Sequence, residues 1–257
     1  MQPPHHKKSS GPKGLDPSTG EPLVGLLNVD KPLRLSSMSV VSVVRRRAGG
    51  AKTGHAGTLD PLATGVLLVC VGKPATRAVD RFMGMPKRYR ATVDLSSFTS
   101  TDDAEGEREV VVPPDDPEHP AIPSIDAIRA ACDQWTGRIM QAPPAFSAIK
   151  VGGRRAYRMA RRGEEVDLPA RPIEIHSIEI VDYAWPGLVI DVHCGKGTYI
   201  RSLARDLGRT LGVGGHLTSL RRTAIGEYAI EDAIVLDDVP DALHQSDLLP
   251  LPPALTE

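Results

Sequence analysis

Hydrophobic and polar residues follow one another along the chain in patterns that predict its strands and helices. Short apolar runs and alternating stretches predict strands in LVGLLNVDKP (23–32), VLLVCVG (66–72) and KRYRATVDLS (87–96). Apolar residues at helical spacing, each series preceded by a serine, predict helices in SSMSVVSVVRRRAG (36–49) and SIDAIRAACDQWTG (124–137). Ser36 or Ser37 can cap the first helix, and Gly49 is expected to end it.

The second half of the chain continues with both kinds of element. Two alternating stretches, IEIHSIEIVDYAW (173–185) and GLVIDVHCGKG (187–197), are expected to form paired strands. A helix with Thr198 as its cap is predicted in TYIRSLARDLGRTLG (198–212), and strands leading to a final turn in GGHLTSLRRTAIGEYAIEDA (214–233). The acidic, proline-rich residues 99–123 are expected to form a loop. Strands separated by single helices favour an α+β fold with a mixed sheet.

The two ends of the chain differ in composition from the 22–240 region, for which we predict one domain. Residues 1–21 are rich in Pro, Gly, Ser and Lys and are expected to be a disordered tail, and residues 241–257 an acidic, proline-rich tail. No apolar run is long enough to span a membrane, and the N-terminus has no apolar stretch typical of a secretory signal. Three widely spaced cysteines predict neither a disulfide framework nor a zinc site. We therefore expect a cytoplasmic protein without a bound metal.

Charge is distributed unevenly, although the net charge is only −1. Between positions 134 and 163 there are seven basic residues and no acidic ones. Five of them fall within GGRRAYRMARRG (152–163) and would form one basic stripe on a helix: Arg154, Arg155, Arg158, Arg161 and Arg162. Such a stripe is usually only a solvated face, but a run without acidic neighbours is also typical of a surface that binds a phosphate backbone. Aromatic residues make up only 4% of the chain, which favours a folded RNA over an unstructured strand.

Asp60 is the only charged residue in GHAGTLDPLATGVL (54–67). An aspartate before a proline commonly caps a helical turn, and that interpretation would be preferred for the dipeptide alone. However, glycines at 54, 57 and 65 surround it, and the chain continues directly into an apolar strand. An aspartate in such a loop is well placed to act as a nucleophile or base in a cleft.

Arg201 lies in the first turn of the predicted 198–212 helix, where a cation opposes the helix dipole. Either this side chain reaches solvent or a carboxylate from elsewhere in the chain offsets the cost. Asp60 is a plausible partner, because a buried carboxylate also needs one to stay ionised. The spacing alone does not establish this pair.

GHAGTLDPLATGVL closely resembles the catalytic-aspartate motif of the TruB family of tRNA pseudouridine synthases. The resemblance extends over roughly residues 24–236, in the same order, through NVDKP (28–32), KRYRA (87–91), SAIKVGGRRAYRMARRGEEV (147–166), GKGTYIRSLARDLG (195–208) and GGHLTSLRR (214–222). It implies a mixed, largely antiparallel sheet with flanking helices and a central cleft. It also implies conversion of uridine-55 in the tRNA T loop to pseudouridine, without a cofactor or required metal. The expected partner is the tRNA T stem-loop; no protein partner is needed, and a monomer is expected.

The resemblance also implies roles for individual residues. Asp60 matches the essential aspartate, which either adds to the nucleoside or removes the ribose 2′ proton, and Arg201 matches the arginine that pairs with it. Tyr89 matches the tyrosine that packs on the target base and can help to remove the C5 proton. The remaining matches concern substrate contacts or support: His55 in the space left by flipped nucleotides, Tyr199 and Leu220 in the uracil pocket, and Lys31 in support of the cleft. Ordinary packing is the alternative for Tyr89, Tyr199 and Leu220.

The chain departs from the family pattern in two places. Arg34 stands where the family usually has glycine, so a strained or altered loop is expected. No C-terminal PUA domain is expected, which predicts a weaker or differently shared grip on tRNA. Two other functions stay open: a tRNA-folding chaperone that acts without catalysis, and a guide-RNA-dependent synthase of the dyskerin type.

Overall fold

The computed structural model describes residues 13–110, 122–147, 150–151, 154–156, 159, 162, 164 and 168–253. Its strands are β1 Gly25–Lys31, β2 Thr53–His55, β3 Ala63–Val71, β4 Lys87–Asp94, β5 Ser97–Thr99, β6 Arg108–Val110, β7 Gly137–Gln141, β8 Lys150–Val151, β9 Arg154–Arg155, β10 Arg171–Ala184, β11 Gly187–Cys194, β12 His216–Ile225, β13 Tyr228–Ala229 and β14 Ile234–Val235. Its α-helices are α1 Ser37–Arg47, α2 Gly72–Arg77, α3 Val79–Gly84, α4 Ile125–Gln134 and α5 Ile200–Leu211.

The chain divides into two compact units. The first unit comprises Met1–Pro61, Gly65–Met83 and Ile230–Glu257, and the second comprises Leu62–Thr64 and Gly84–Ala229. The first unit is therefore assembled from three separate segments, whereas almost all of the second unit is one continuous segment.

The sheet of the first unit is mixed. Strand β1 pairs antiparallel with β3 and parallel with β14, and β2 pairs antiparallel with β3. Val40, Val41 and Val44 of α1 pack in a core with alternate residues of β1 and β3, such as Val29 and Val69. Burial of these branched side chains is the main stabilising contribution, about 25 cal/mol for each Å² of apolar surface.

Both ends of the described chain are packed into the first unit, unlike the tails that the composition predicted. Asp16 is buried and accepts hydrogen bonds from the Ser18 and Gln245 amides, at 2.8 and 2.7 Å. Leu243 and Leu248 belong to the core. Residues 13–21 and 241–253 thus make ordered contacts, because their few apolar and capping residues find partners in distant segments. Residues 1–12 and 254–257 lie outside the described residues.

The second unit is built on an antiparallel sheet in the order β12, β4, β11, β10, β7, with β13 paired to β12. Strands β10 and β11 form the predicted hairpin, and alternate residues of β11 are buried. Helix α4 packs against α5 and β10. The indole N–H of Trp135, at the end of α4, donates to the Thr210 hydroxyl of α5 at 2.9 Å. The α+β class and the largely antiparallel sheet are therefore confirmed.

Helix caps were predicted correctly where the signal was local. Ser36 caps α1 and Ser124 caps α4, each by accepting a backbone N–H three residues ahead. The predicted Thr198 cap of α5 is wrong, because its hydroxyl donates to the Gly195 carbonyl. Tyr199 holds the cap position instead.

In the predicted 99–123 loop, the described part contains the short β5–β6 hairpin. None of the helices in the described ranges has the length and apolar character needed to cross a membrane.

Candidate active site

The predicted site residues are distributed over both units. Lys31, His55 and Asp60 belong to the first unit. Tyr89, Tyr199, Arg201 and Leu220 belong to the second unit. The Asp60–Arg201 pair stays a prediction.

The backbone on either side of Asp60 is held by hydrogen bonds. The Ser37 hydroxyl accepts from the Leu59 amide at 2.8 Å and donates to the Leu59 carbonyl at 3.0 Å. The Pro61 carbonyl accepts from the Arg34 amide at 2.8 Å. Residues 61–62 form a turn and β3 begins at Ala63, so Asp60 does not cap a helix. The half-buried Asp60 side chain is thus carried by a fixed segment at the start of a core strand.

Lys31 ties down the loop that holds this segment. It is the last residue of β1 and is fully buried, and its ammonium donates to the carbonyls of Pro32 and Leu35 at 2.8 and 2.7 Å. Burial of a lysine is costly unless such acceptors are present. These contacts are of the kind that a supporting role for Lys31 requires. His55, the third residue of the group, ends β2 opposite Val69 and is half-buried.

Arg34 adopts a φ of 68° in the same loop. The backbone at this position is therefore left-handed, the region that favours glycine, and the strain expected from the sequence is present. For a non-glycine residue this conformation costs about 1–2 kcal/mol.

In the second unit, Arg201 is buried in the first turn of α5. Its guanidinium donates to the carbonyls of Thr101 and Phe146 at 3.1 and 2.9 Å and pairs with the Asp103 carboxylate at 3.4 Å. A carboxylate from elsewhere in the chain therefore offsets the cost of a cation at a helix N-terminus, and it comes from Asp103.

A second ion pair lies next to this one. Arg205, one turn further along α5, donates to the Asp102 carboxylate at 2.8 Å. Burial raises the pKa of Asp102, while Arg205 and Arg201 act to lower it. No motif in the sequence pointed to Asp102 or Asp103. The only signal was the acidic run around them, which is typical of a solvated loop.

Four residues of β4 and β12 share one face of the sheet. Tyr89 lies opposite Arg222, and Ala91 lies opposite Leu220. Leu220 and Arg222 are buried, whereas Tyr89 is only half-buried. Part of Tyr89 is therefore exposed, and its contact with the target base stays a prediction. No role was predicted for Arg222, whose large side chain is buried at the strand position opposite Tyr89.

Lys87 lies two residues before Tyr89 on the same face of β4. It is buried, and its ammonium donates to the Met85 carbonyl at 2.6 Å. Burial, aided by the nearby cations Arg222 and Lys196, lowers the pKa of Lys87 to about 8. This face of the sheet therefore carries two buried basic side chains, Lys87 and Arg222.

Tyr199 is held at the start of α5 by one side chain. The Gln141 amide oxygen accepts from the Tyr199 N–H at 2.8 Å, and its NH₂ group donates to the Tyr199 carbonyl at 3.1 Å. The Arg171 guanidinium lies over the Tyr199 ring, 5.1 Å from its centre. The backbone and ring orientation of Tyr199 are thus both constrained.

The predicted basic stripe is not one helix. Arg154 and Arg155 lie on β9, which pairs with β8. The Arg154 guanidinium is bonded to the Glu164 carboxylate at 2.5 Å, so an acidic residue just beyond the run neutralises it. Arg162 is exposed, and Arg158 and Arg161 lie outside the described residues. Contact of these arginines with RNA stays a prediction.

Comparison with known families gives matches from residue 45 to residue 251. Residues 45–200 match the N-terminal domain of the TruB family of pseudouridylate synthases. Residues 201–251 match the tRNA pseudouridylate synthase B C-terminal domain. The chain belongs to the TruB family.

Bacterial relatives of this TruB chain have the same name in common, tRNA pseudouridine synthase B. The relative from Thermobifida fusca is 49% identical over 225 residues, which cover 84% of this chain and 74% of the relative. The relative from Corynebacterium efficiens is 47% identical over 221 residues, covering 84% and 72%. The family predicted from the GHAGTLDPLATGVL motif is confirmed.

Solved structures similar to this TruB chain include an archaeal box H/ACA sRNP Nop10-Cbf5 complex, at 30% identity and a TM-score of 0.59. A Cbf5-Nop10-Gar1 complex is 29% identical, with a TM-score of 0.64. The similarity covers 83% and 91% of this chain, respectively, but only 52% and 60% of the matched chains. This chain therefore spans about half to three fifths of the length of each matched chain.

Proposed function

We propose that this chain converts uridine-55 in the T loop of tRNA to pseudouridine, with Asp60 as the reacting carboxylate. The observation that carries the proposal is the fixed segment around Asp60. The residues on both sides of Asp60 are held by backbone hydrogen bonds, within the family's catalytic motif. Its carboxylate is therefore suited to approach the target nucleoside from one fixed direction. The proposed reaction needs no cofactor or protein partner, and the chain is proposed to act as a monomer in the cytoplasm.

The reaction is an isomerisation and needs no added atoms. The target uridine is turned out of the RNA stack, the bond from N1 to ribose C1′ breaks, and the uracil rotates. C5 then bonds to C1′, and the C5 proton moves to N1 through a base or solvent. Asp60 either attacks the nucleoside covalently or removes the 2′ proton, and both routes need it ionised.

The second unit is proposed to supply the other groups. Tyr89 would pack on the flipped uracil and assist removal of the C5 proton, with Leu220 and Tyr199 lining the pocket. Arg201 would pair with Asp60 and keep it ionised, since an adjacent cation lowers the pKa of a carboxylate. His55 would fill the space that the flipped nucleotides leave.

Replacement of the carboxylate tests this function. We expect Asp60→Asn to abolish pseudouridine formation in a T stem-loop RNA while leaving the RNA Kd within about threefold, because the amide keeps the shape but cannot act as a nucleophile or base. Product is measured by tritium release from a C5-labelled target uridine, and affinity by filter binding. Asp80→Asn, on the exposed side of α3, is the matched control and should stay active. Normal product formation by Asp60→Asn would exclude the assigned role.

Two alternatives are distinguished by the same assay. A tRNA-folding chaperone would keep its benefit in the Asp60→Asn variant, as measured by refolding of a misfolded tRNA. A guide-RNA-dependent synthase, which the Cbf5-containing neighbours suggest, would make no product without a guide RNA. Product formation by the purified chain on tRNA alone would decide against the guide-dependent function.

A further inference from the structure

We propose that Ser37 is a positioning residue for Asp60. By bridging the backbone N–H and C=O of Leu59, its hydroxyl sets the direction in which the neighbouring carboxylate points. This inference rests on the proposed function, in which Asp60 is the reacting group. Ser37 itself would not touch the substrate.

One side chain oxygen satisfies both polar groups of one residue. The Leu59 amide donates to the Ser37 hydroxyl oxygen at 2.8 Å, and the hydroxyl proton goes to the Leu59 carbonyl at 3.0 Å. A serine can do this because its hydroxyl has one proton to donate and lone pairs to accept. Ser37 and Leu59 are both buried, so water has poor access to these bonds.

The chain after Asp60 is held as well. The Pro61 carbonyl accepts from the Arg34 amide, and the proline ring fixes its own φ. The residue before a proline is in addition restricted to extended conformations. With Leu59 and Pro61 both fixed, the remaining freedom of Asp60 lies mainly in its own side chain torsions.

Ser37 is a rigid point of attachment. It is the first residue of α1, whose Val40, Val41 and Val44 are part of the core of the first unit. Lys31 closes the preceding loop through two carbonyls. The Ser37 hydroxyl therefore anchors the segment that carries Asp60 to that core.

Removal of this hydroxyl would leave the Leu59 N–H and C=O without their partner in a buried site. Buried polar groups without partners are strongly disfavoured, so the segment would shift toward water. A displacement of about 1 Å at a reacting group can cost about 100-fold in rate. We therefore expect Ser37→Ala to lower the single-turnover rate constant by at least about tenfold.

The experiment compares four variants with wild type on a T stem-loop RNA labelled with tritium at C5 of the target uridine. Ser37→Ala removes the hydroxyl. Ser37→Thr and Ser37→Val have nearly equal volumes but differ in the hydroxyl, so their ratio isolates it even if the added methyl group disturbs the fold. Ser36→Ala is the matched control, because Ser36 caps the same helix by accepting from Ser39 but has no bond to Leu59 among the described contacts. Single-turnover rate and RNA Kd are measured below the melting temperature of every variant.

The proposal expects Ser37→Ala and Ser37→Val to lose at least about tenfold in rate relative to wild type and Ser37→Thr respectively, with Kd within about twofold. Ser36→Ala should stay within about twofold in both. An equal loss in Ser36→Ala, a loss confined to Kd, or equal rates for the Thr and Val variants would overturn it. If wild type itself forms no pseudouridine, the proposed function fails and this inference fails with it. An active wild type with an unaffected Ser37→Ala variant contradicts the inference alone.

Discussion

Arg34 has a strained backbone conformation that allows it to bond to the residue after Asp60. Its left-handed backbone places the Arg34 amide against the Pro61 carbonyl, at 2.8 Å. The hydrogen bond, which helps to hold Asp60, is made by the backbone and not by the arginine side chain. The backbone strain at Arg34 can therefore be removed by substitution without loss of this hydrogen bond.

Arg34→Gly should consequently stabilise the protein by about 0.5–1 kcal/mol. Glycine relieves the left-handed strain of about 1–2 kcal/mol, less the entropy it loses on folding, and keeps the same backbone bond. Urea unfolding measures the change. Arg46→Gly, in α1, serves as the comparison and should lose about 1 kcal/mol. A loss of stability in both variants would contradict the strain at position 34.

Candidate residues could be predicted from the sequence only where a motif carried them. The GHAGTLDPLATGVL stretch pointed to Asp60 directly, but no pattern indicated that Ser37 or the Arg34 amide would contact its neighbours. Ser37 and Leu59 are 22 residues apart, and Arg34 and Pro61 are 27 apart, so these bonds depend on how distant segments fold together. Asp103 was missed for the same reason, since its partner Arg201 is 98 residues away.

Helix α5 and the β5–β6 hairpin form an electrostatically linked pair of elements. Arg201 and Arg205, one turn apart, hold Asp103 and Asp102 of the turn between the two strands. All four side chains are largely buried. Removal of one member of a buried pair leaves an uncompensated charge, which costs more than the pair contributes.

Asp103→Asn should therefore destabilise the protein by about 2 kcal/mol, with the Thr101 and Phe146 carbonyls softening the loss. The free energy of unfolding in urea reports the effect. Asp191→Asn is the matched control, because its ion pair with Arg90 is more than a third exposed at both partners and should matter by less than about 1 kcal/mol. Similar losses in the two variants would show that burial of the Arg201 pair has no special weight.

Features that depend on neighbouring residues were predicted well from the sequence, and features that depend on distant residues were predicted poorly. Ser36 and Ser124 cap helices through bonds three residues ahead, so the adjacent sequence contained all the information. Tyr199 is held by Gln141, 58 residues earlier, which no local pattern could reveal. Likewise, Arg154 and Arg155 belong to a run with helical spacing but lie on a strand, because β8 offers a pairing partner.

At the scale of the whole molecule, the ends of the described chain are part of the first unit. Asp16 receives hydrogen bonds from Ser18, Gln245 and His244, and these bonds hold its pKa well below the usual range. A carboxylate whose pKa is lowered in the folded state stabilises the fold at pH values above its unfolded-state pKa of 3.8. This contribution is lost as the pH falls below 3.8 toward the lower pKa of the folded state.

Asp16→Asn should therefore lower stability at pH 7 and flatten its dependence on pH between about 5 and 2. Urea unfolding at a series of pH values tests this. The control is Asp241→Asn, whose side chain is fully exposed and only weakly paired with Arg47, and it should follow the wild-type curve. If Asp16→Asn keeps the full acid sensitivity of wild type, Asp16 does not link the two ends.

The assembly of the first unit from three segments has a consequence for synthesis on the ribosome. Residues 84–229 emerge as one continuous stretch and can fold once they have left the exit tunnel. The earlier β1, α1 and β3 must wait for Leu236, Leu243 and Leu248, which complete their core. The segment that carries Asp60, although translated early, therefore gains its final support only after Leu236, Leu243 and Leu248 have been translated.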